Sequence, residues 1–243
     1  MKVAILQPGY LPWLGFFEQM QRVERFIYLD DVQYTKQDWR NRNRIKTPDG
    51  PVWLTVPVRK APTGTPINEI LIDHRQGWVD KHLRLLHHAY AKSTYFEFVM
   101  QDLRESLTRG HDRLQDLCIE VTALMCRMMN IETPTQLAST LRISEDDKTR
   151  RLVAICQAVG ADSLYDGKAA ADFIEHFRFD EAGVELEFQD YRHPVYPQLW
   201  GEFLPYMSAI DVLFNCGPHA RDVMCGRADV SEFVSDGESL CAR

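Results

Sequence analysis

The sequence predicts an α/β protein with a mostly parallel sheet covered by helices, and three observations predict it. Val3 to Gln7 and Phe26 to Leu29 are short, almost wholly apolar runs, the pattern of strands buried on both faces. A helix-like segment, Gly15 to Met20, lies between them and completes a strand–helix–strand unit. Strand and helix signals alternate again after Gln136. With 243 residues, 45% of them hydrophobic, the chain can bury a sizeable core and is not a disordered tail. No apolar run approaches the roughly 18 residues of a membrane span. The N-terminal run is too short for a secretory signal, so the cytoplasm is the expected compartment.

In chain order, Pro8-Gly9 ends the first strand and Asp30-Asp31 ends the second. Asn41–Lys46 and Val52–Val58 flank Pro48-Asp49-Gly50 and predict an antiparallel hairpin, with Pro57 at an edge or strand end. Ile67–Asp73 predicts one more short strand. Residues 77–130 predict a helical insert. Trp78, His82, Leu85, Leu86 and Ala89 form one stripe, Phe96–Thr108 a second helix, and Leu117, Val121, Leu124, Met125 and Met128 a stripe on a third. Gln136–Leu141 is strand-like, Asp146–Val159 helical with Gly160 as its cap, Leu164-Tyr165 a strand, Ala169–Phe177 helical and Val184–Phe188 a strand. No linker or repeat interrupts the pattern. A single Rossmann-like domain over 1–243 is expected, with a loosely ordered tail at about 229–243.

Charge is uneven along the chain. Residues 1–60 hold ten Lys/Arg and six Asp/Glu, a balance of +4, and the rest holds 18 and 29, a balance of −11, which together give −7. A cationic patch on an acidic protein suggests a small anionic ligand and argues against a nucleic-acid duplex. The six cysteines form no Cys-x-x-Cys pair, so no metal site is expected and all six read as unpaired thiols. Gly-x-Gly-x-x-Gly, Gly-x-x-x-x-Gly-Lys-Ser/Thr and Gly-x-Ser-x-Gly are absent.

Four constellations could carry chemistry. Gln7 to Gly15, with Tyr10 and Trp13, follows the first strand, where open parallel sheets bind ligands and a helix N-terminus offers free N–H groups; two prolines and two glycines also describe a rigid turn. Asp31, Gln33, Lys36, Asn41, Arg42 and Arg44 follow the second strand and would share that sheet edge. Guanidinium forks there match phosphate oxygens, although a charge run also describes a solvated face. His82 lies on an apolar stripe and His193 in a loop before Pro194. Either could serve as a base, and either could be a packed or turn residue. Finally, Tyr196 and Gln198 precede a helical segment in which Asp211 and Asn215 share a face, with Ser208 as an N-cap.

These blocks resemble the WbqC-like family, associated with bacterial O-antigen and other polysaccharide gene clusters. The resemblance runs through Gln7-Pro8-x-Tyr10-x-Pro12-Trp13-x-Gly15-Phe16-Phe17, Asp31-x-Gln33-Tyr34-x-Lys36, Asn41-Arg42-Asn43-x-Ile45 and Trp53 to Val58. It continues in Trp78-x-x-Lys81-His82, Arg151-x-x-x-Ile155-Cys156, His193-Pro194-x-Tyr196-x-Gln198 and Asp211-x-Leu213-Phe214-Asn215-x-Gly217. It implies a transferase of surface-polysaccharide biosynthesis that moves an acyl or aminoacyl group onto an amino sugar held as a nucleotide conjugate. The donor would be a thioester, either of coenzyme A type or on a carrier protein. In that expectation Lys36, Arg42 and Arg44 grip phosphate, His82 or His193 deprotonates the amine, Asp31 orients the base or holds the sugar, and Asn41 or Gln7 stabilises the oxyanion. The opening unit also resembles nucleotidylyltransferases, with Mg²⁺ at Asp30 or Asp31, but Pro12-Trp13-Leu14-Gly15 stands where their His-x-Gly-His would be. A third possibility is a non-catalytic subunit that binds a nucleotide sugar.

Overall fold

The computed structural model describes residues 1–228, and the tail expected to be loose at about 229–243 lies outside them. A five-stranded sheet, parallel throughout, is built from β1 (Lys2–Leu6), β2 (Arg25–Tyr28), β5 (Thr135–Leu137), β6 (Ser163–Asp166) and β7 (Glu185–Phe188), in the order β5-β2-β1-β6-β7. The antiparallel hairpin of β3 (Arg42–Thr47) and β4 (Gly50–Thr55) stands apart from it. The fold is α/β. No helix of the described residues is long and apolar enough to cross a membrane.

Strand periodicity sends alternate residues to opposite faces. Val3, Ile5 and Ile27 join Leu152, Ile155 and Cys156 of α5 (Lys148–Val159) and Phe179 of α6 (His176–Ala182) on one face. Ala4, Phe26 and Tyr28 enter the larger core on the other face. That core holds Phe17 and Met20 of α1 (Leu14–Gln21) and the stripes of α2 (Trp78–Tyr90), α3 (Phe96–Thr108), α4 (Leu114–Met128) and α7 (Ile210–Cys216). A short α8 (Ala220–Met224) follows. The helical segment expected over 77–130 is therefore α2, α3 and α4. Burying side chains such as Phe17, Leu14 and Leu86 fully contributes about 1.5–3 kcal/mol each.

Three local expectations differ from the structure. Ile67–Asp73 is not a strand: Ile67–Glu69 form a 3-10 turn, and only isolated bridges, Val58 to Ile72 and Leu71 to Arg113, follow. The strand expected over Gln136–Leu141 stops at Leu137, because Ser139 gives its N–H and hydroxyl to the buried Asp30 carboxylate and the chain turns as a 3-10 helix over Ala138–Leu141. The helix expected over Ala169–Phe177 is a 3-10 segment, Lys168–Asp172, separated from α6. Gly160 does cap α5, with φ 70° and ψ 33°, and Asp147 accepts the Arg150 N–H at its other end.

The strand order places the site. From β1 the chain moves outward to β2 and β5, then returns to the other side of β1 for β6 and β7. The reversal between β1 and β6 opens a crevice beyond their carboxyl ends, where doubly wound sheets bind ligands.

Candidate functional site

Two adjoining cavities occupy that crevice. The smaller, about 490 Å³, is lined by Gln7, Trp13, Phe16, Trp39, Arg40, Asn43, Arg44 and Tyr206. The larger, about 920 Å³, is lined by Asp31, Gln33, Arg40, Lys148, Arg151, Asp166 and Gly167 among others. Leu6, Gln7 and Arg40 line both, so one extended ligand can run from the first into the second. Gln7, at the end of β1, has a buried Oε1 without a hydrogen-bond partner at this junction.

The smaller cavity is aromatic and cationic. The Trp13 indole lies over the first turn of α1 so closely that a β-carbon on Gly15 would come within 2.2 Å of the ring. Glycine is required there for the indole to form the wall. Trp13 also meets Tyr206 at 5.8 Å and stacks on His193 at 6.5 Å between ring centroids. Tyr206 is half exposed and sits at φ 60°, a strained value for a residue with a side chain. Opposite, the Arg44 guanidinium lies 5.9 Å from Trp39 and 5.6 Å from Trp53, and Trp39 and Trp53 pack at 5.3 Å. Burial lowers the Arg40 pKa, partly offset by Asp38 at 3.8 Å.

The larger cavity sets acids against bases. Asp31 pairs with Arg151 at 2.6 Å, leaving its other oxygen buried and without a hydrogen-bond partner. Asp166, the last residue of β6, is 7% exposed, and burial raises its carboxyl to about 6 against the pull of the Gly167 N–H at 2.7 Å. A carboxyl in that range can take up a proton near neutral pH. Asp166, Arg151, Lys148 and Tyr206 were not among the residues read as a site. The available signal was a carboxylate at the carboxyl end of a parallel strand.

Of the residues singled out in the sequence, Gln7, Trp13, Asp31, Gln33 and Arg44 line the crevice. Lys36 and Asn41 line a third cavity, which also includes Gln33. Arg42 lines neither crevice cavity; its guanidinium lies 4.3 Å from the Trp53 ring and donates to the Gln37 carbonyl. Tyr10 is fully buried. Its hydroxyl meets His82 Nδ1 at 3.0 Å, while His82 Nε2 lies 3.2 Å from the Thr55 carbonyl. A carbonyl only accepts, so Nε2 carries the proton and Nδ1 accepts from Tyr10. His82 therefore has no nitrogen left for a substrate, which corrects its expected role as a base.

Burial depresses the His82 pKa to about 4, with the Thr55 hydrogen bond opposing. The fold holds the ring neutral, so its contribution to stability is complete above the ordinary histidine value of 6.5 and is lost as pH falls toward about 4. His82→Ala is expected to cost about 2–3 kcal/mol by stranding the Tyr10 hydroxyl and the Thr55 carbonyl. It should also flatten the acid limb of the urea-midpoint curve over that window.

His193 is half-buried among Trp13, Tyr191, Tyr196, Phe203 and Tyr206. Its Nδ1 donates to the Pro194 carbonyl at 2.9 Å, and Nε2 is buried without a hydrogen-bond partner. Burial lowers its pKa. Its ring supports the Trp13 wall and lines neither crevice cavity.

Tyr196, Gln198, Asp211 and Asn215 come together, but around a carboxylate that is itself buried. Asp211 is 1% exposed and accepts from the Tyr90 hydroxyl at 2.7 Å, the Tyr196 hydroxyl at 3.0 Å and the Gln198 amide at 2.9 Å. Asn215 donates to the Asp211 carbonyl at 2.7 Å. This cluster ties α2 and the 196–198 loop to α7, a positioning role in place of the expected ligand contact. Ser208 lies one residue ahead of the Ala209 cap position, its hydroxyl accepting the Ile210 N–H at 3.3 Å.

The Asp30 carboxylate is spent on Ser139 and Asn68, which removes it as a Mg²⁺ ligand. Among the described residues no group of three His, Cys, Asp or Glu side chains could hold a metal ion. Asp31, the other carboxylate of that expectation, is paired with Arg151 through one oxygen and keeps the second open at the larger cavity.

The sequence profile of the WbqC-like protein family matches residues 7–223. An uncharacterized protein of Mycobacterium tuberculosis, Rv1507c, is 38% identical over 226 residues, covering 92% of this chain and 97% of that one. No solved structure matches the chain. The family profile takes in the β1–α1 loop, most of the lining of both crevice cavities and α7, and the chain belongs to the WbqC-like protein family.

Proposed function

We propose that this protein is a transferase that moves an acyl or aminoacyl group from a thioester onto the amine of a nucleotide-linked sugar, in surface-polysaccharide biosynthesis. The observation that carries the reading is the continuity of the two cavities at Gln7 and Arg40. A nucleobase fits against Trp13, Trp39 and Tyr206, a diphosphate meets Arg40 and Arg44, and the sugar reaches the larger cavity with Asp31, Arg151 and Asp166.

In the reaction the sugar amine attacks the thioester carbonyl. A C–N bond forms, the C–S bond breaks, the amine proton passes to Asp166, and the thiolate leaves to take up a proton. Gln7 faces the developing oxyanion, since the Asn41 amide is committed to the Val56 carbonyl at 2.8 Å. Arg151 holds Asp31 in place beside the acceptor.

The test is incubation with nucleotide-linked amino sugars and acyl thioesters, followed by mass spectrometry and a free-thiol assay. Amide product with one thiol per turnover is the expected result. Pyrophosphate release from a nucleoside triphosphate, or sugar binding without turnover across the donor panel, overturns it.

A further inference from the structure

The third cavity, about 570 Å³, adjoins the larger crevice cavity at Gln33 and Thr35. Lys36, Arg59 and Lys60 line it, and no carboxylate does. All three cations are exposed, and none is in a salt bridge among the described residues. In a chain of net charge −7, three such cations around one concavity make a local anion site. A second observation adds a different chemistry. Asn41 is 6% exposed and lines the same cavity. Its amide nitrogen is used by the Val56 carbonyl, while its Oδ1 is buried with no hydrogen-bond partner. A buried acceptor left open beside a cavity is a position that a donor, from water or from a ligand N–H or O–H, can satisfy.

The cavity therefore asks for a ligand with a phosphate-type anion at one end and an amide or hydroxyl donor beside it. We infer that this cavity, built by Lys36, Arg59, Lys60 and Asn41, seats a coenzyme A-type thioester donor, with its phosphates on the cations and an amide or hydroxyl of its arm on Asn41. The thioester end then passes Gln33 and Thr35 into the larger cavity, where the acceptor amine waits. The identity of the donor rests on the transferase reading; the anion-plus-donor character of the cavity does not.

Calorimetric titration with coenzyme A tests the inference. The unsubstituted protein should bind it, and the triple variant Lys36→Gln/Arg59→Gln/Lys60→Gln should bind at least about 30-fold more weakly, on the order of 2 kcal/mol. The thermal midpoint of the triple variant should be unchanged, since all three side chains are exposed. Asn41→Asp, which places a carboxylate beside the phosphates, should weaken binding as well. Arg44→Gln, in the other cavity, should leave coenzyme A affinity as it was. Absence of coenzyme A binding, or equal affinity in the triple variant, overturns the inference. If coenzyme A binds as described but no nucleotide-linked sugar is acylated, the transferase reading fails and the site stands. If acylation proceeds with a donor KM that the triple variant does not change, the site fails and the transferase reading stands.

Discussion

Asp166→Asn is expected to lower kcat by about 10²- to 10⁴-fold while leaving KM for the nucleotide-linked sugar nearly unchanged, because it removes a proton acceptor and no charge contact to the phosphates. In the unsubstituted protein activity should rise with pH through about 6, where burial places this carboxyl, and the variant should lose that limb. Stability should move the opposite way. The folded state holds the Asp166 proton up to about 6 against an ordinary carboxyl value of 3.8. Over that window the folded protein binds more protons than the unfolded chain, so stability falls as pH rises and the cost is fully present above it. Asparagine carries no charge to desolvate and can still accept the Gly167 N–H. Asp166→Asn should therefore be more stable at pH 7 by up to about 2–3 kcal/mol, read by urea titration. A variant both fully active and no more stable would remove Asp166 from the mechanism. A dead but stabilised enzyme is the signature of a carboxylate held in place for chemistry at the expense of the fold.

What the sequence could and could not disclose follows from range. The opening unit was legible because each of its strands is apolar on both faces and its turns carry Pro8-Gly9 and Asp30-Asp31; β1, α1 and β2 stand where those signals put them. The parallel order then brings the Gln7 and Asp31 loops to one crevice without further information. Asp166 carries only one weak sign in the sequence, a carboxylate at a strand end. After a two-residue apolar run, Asp166-Gly167 reads as a turn, and the burial that raises its pKa is supplied by chain distant in sequence. His82 was legible as buried from its stripe, yet the partners that occupy both its nitrogens, Tyr10 and Thr55, are 72 and 27 residues away. Arg42 and Arg44 are two apart along β3 and share one face, both against the Trp53 ring, yet only Arg44 lines the smaller cavity, a difference that strand periodicity does not carry. Asp211 and Asn215 do meet at helical spacing, as expected. The contact that decides Asp211's role, with Tyr90, spans 121 residues.

That contact makes Asp211→Ala the most damaging substitution for folding. Truncation leaves the Tyr90 and Tyr196 hydroxyls and the Gln198 amide facing an empty acceptor position inside the core, and unsatisfied buried donors cost about 1–3 kcal/mol apiece. The cation of Lys46, whose amine donates to the Glu202 carbonyl at 2.6 Å, loses a favourable neighbour as well. A loss of about 3–5 kcal/mol is expected, a large share of the 5–15 kcal/mol typical of a folded domain. Asp211→Asn separates structure from ligand binding. Its remaining oxygen can keep Tyr196 and Gln198, and the Tyr90 hydroxyl can turn to accept from the new amide, so the cost should be only about 1–2 kcal/mol. Because Asp211 lines neither crevice cavity, Asp211→Asn should retain the affinity of the unsubstituted protein for a nucleotide-linked sugar at temperatures where it stays folded. Urea titration and calorimetry on both variants give the answer. A stable Asp211→Asn that fails to bind sugar would return Asp211 to the ligand and break the assignment of this cluster to the architecture that holds α2 and the 196–198 loop against α7.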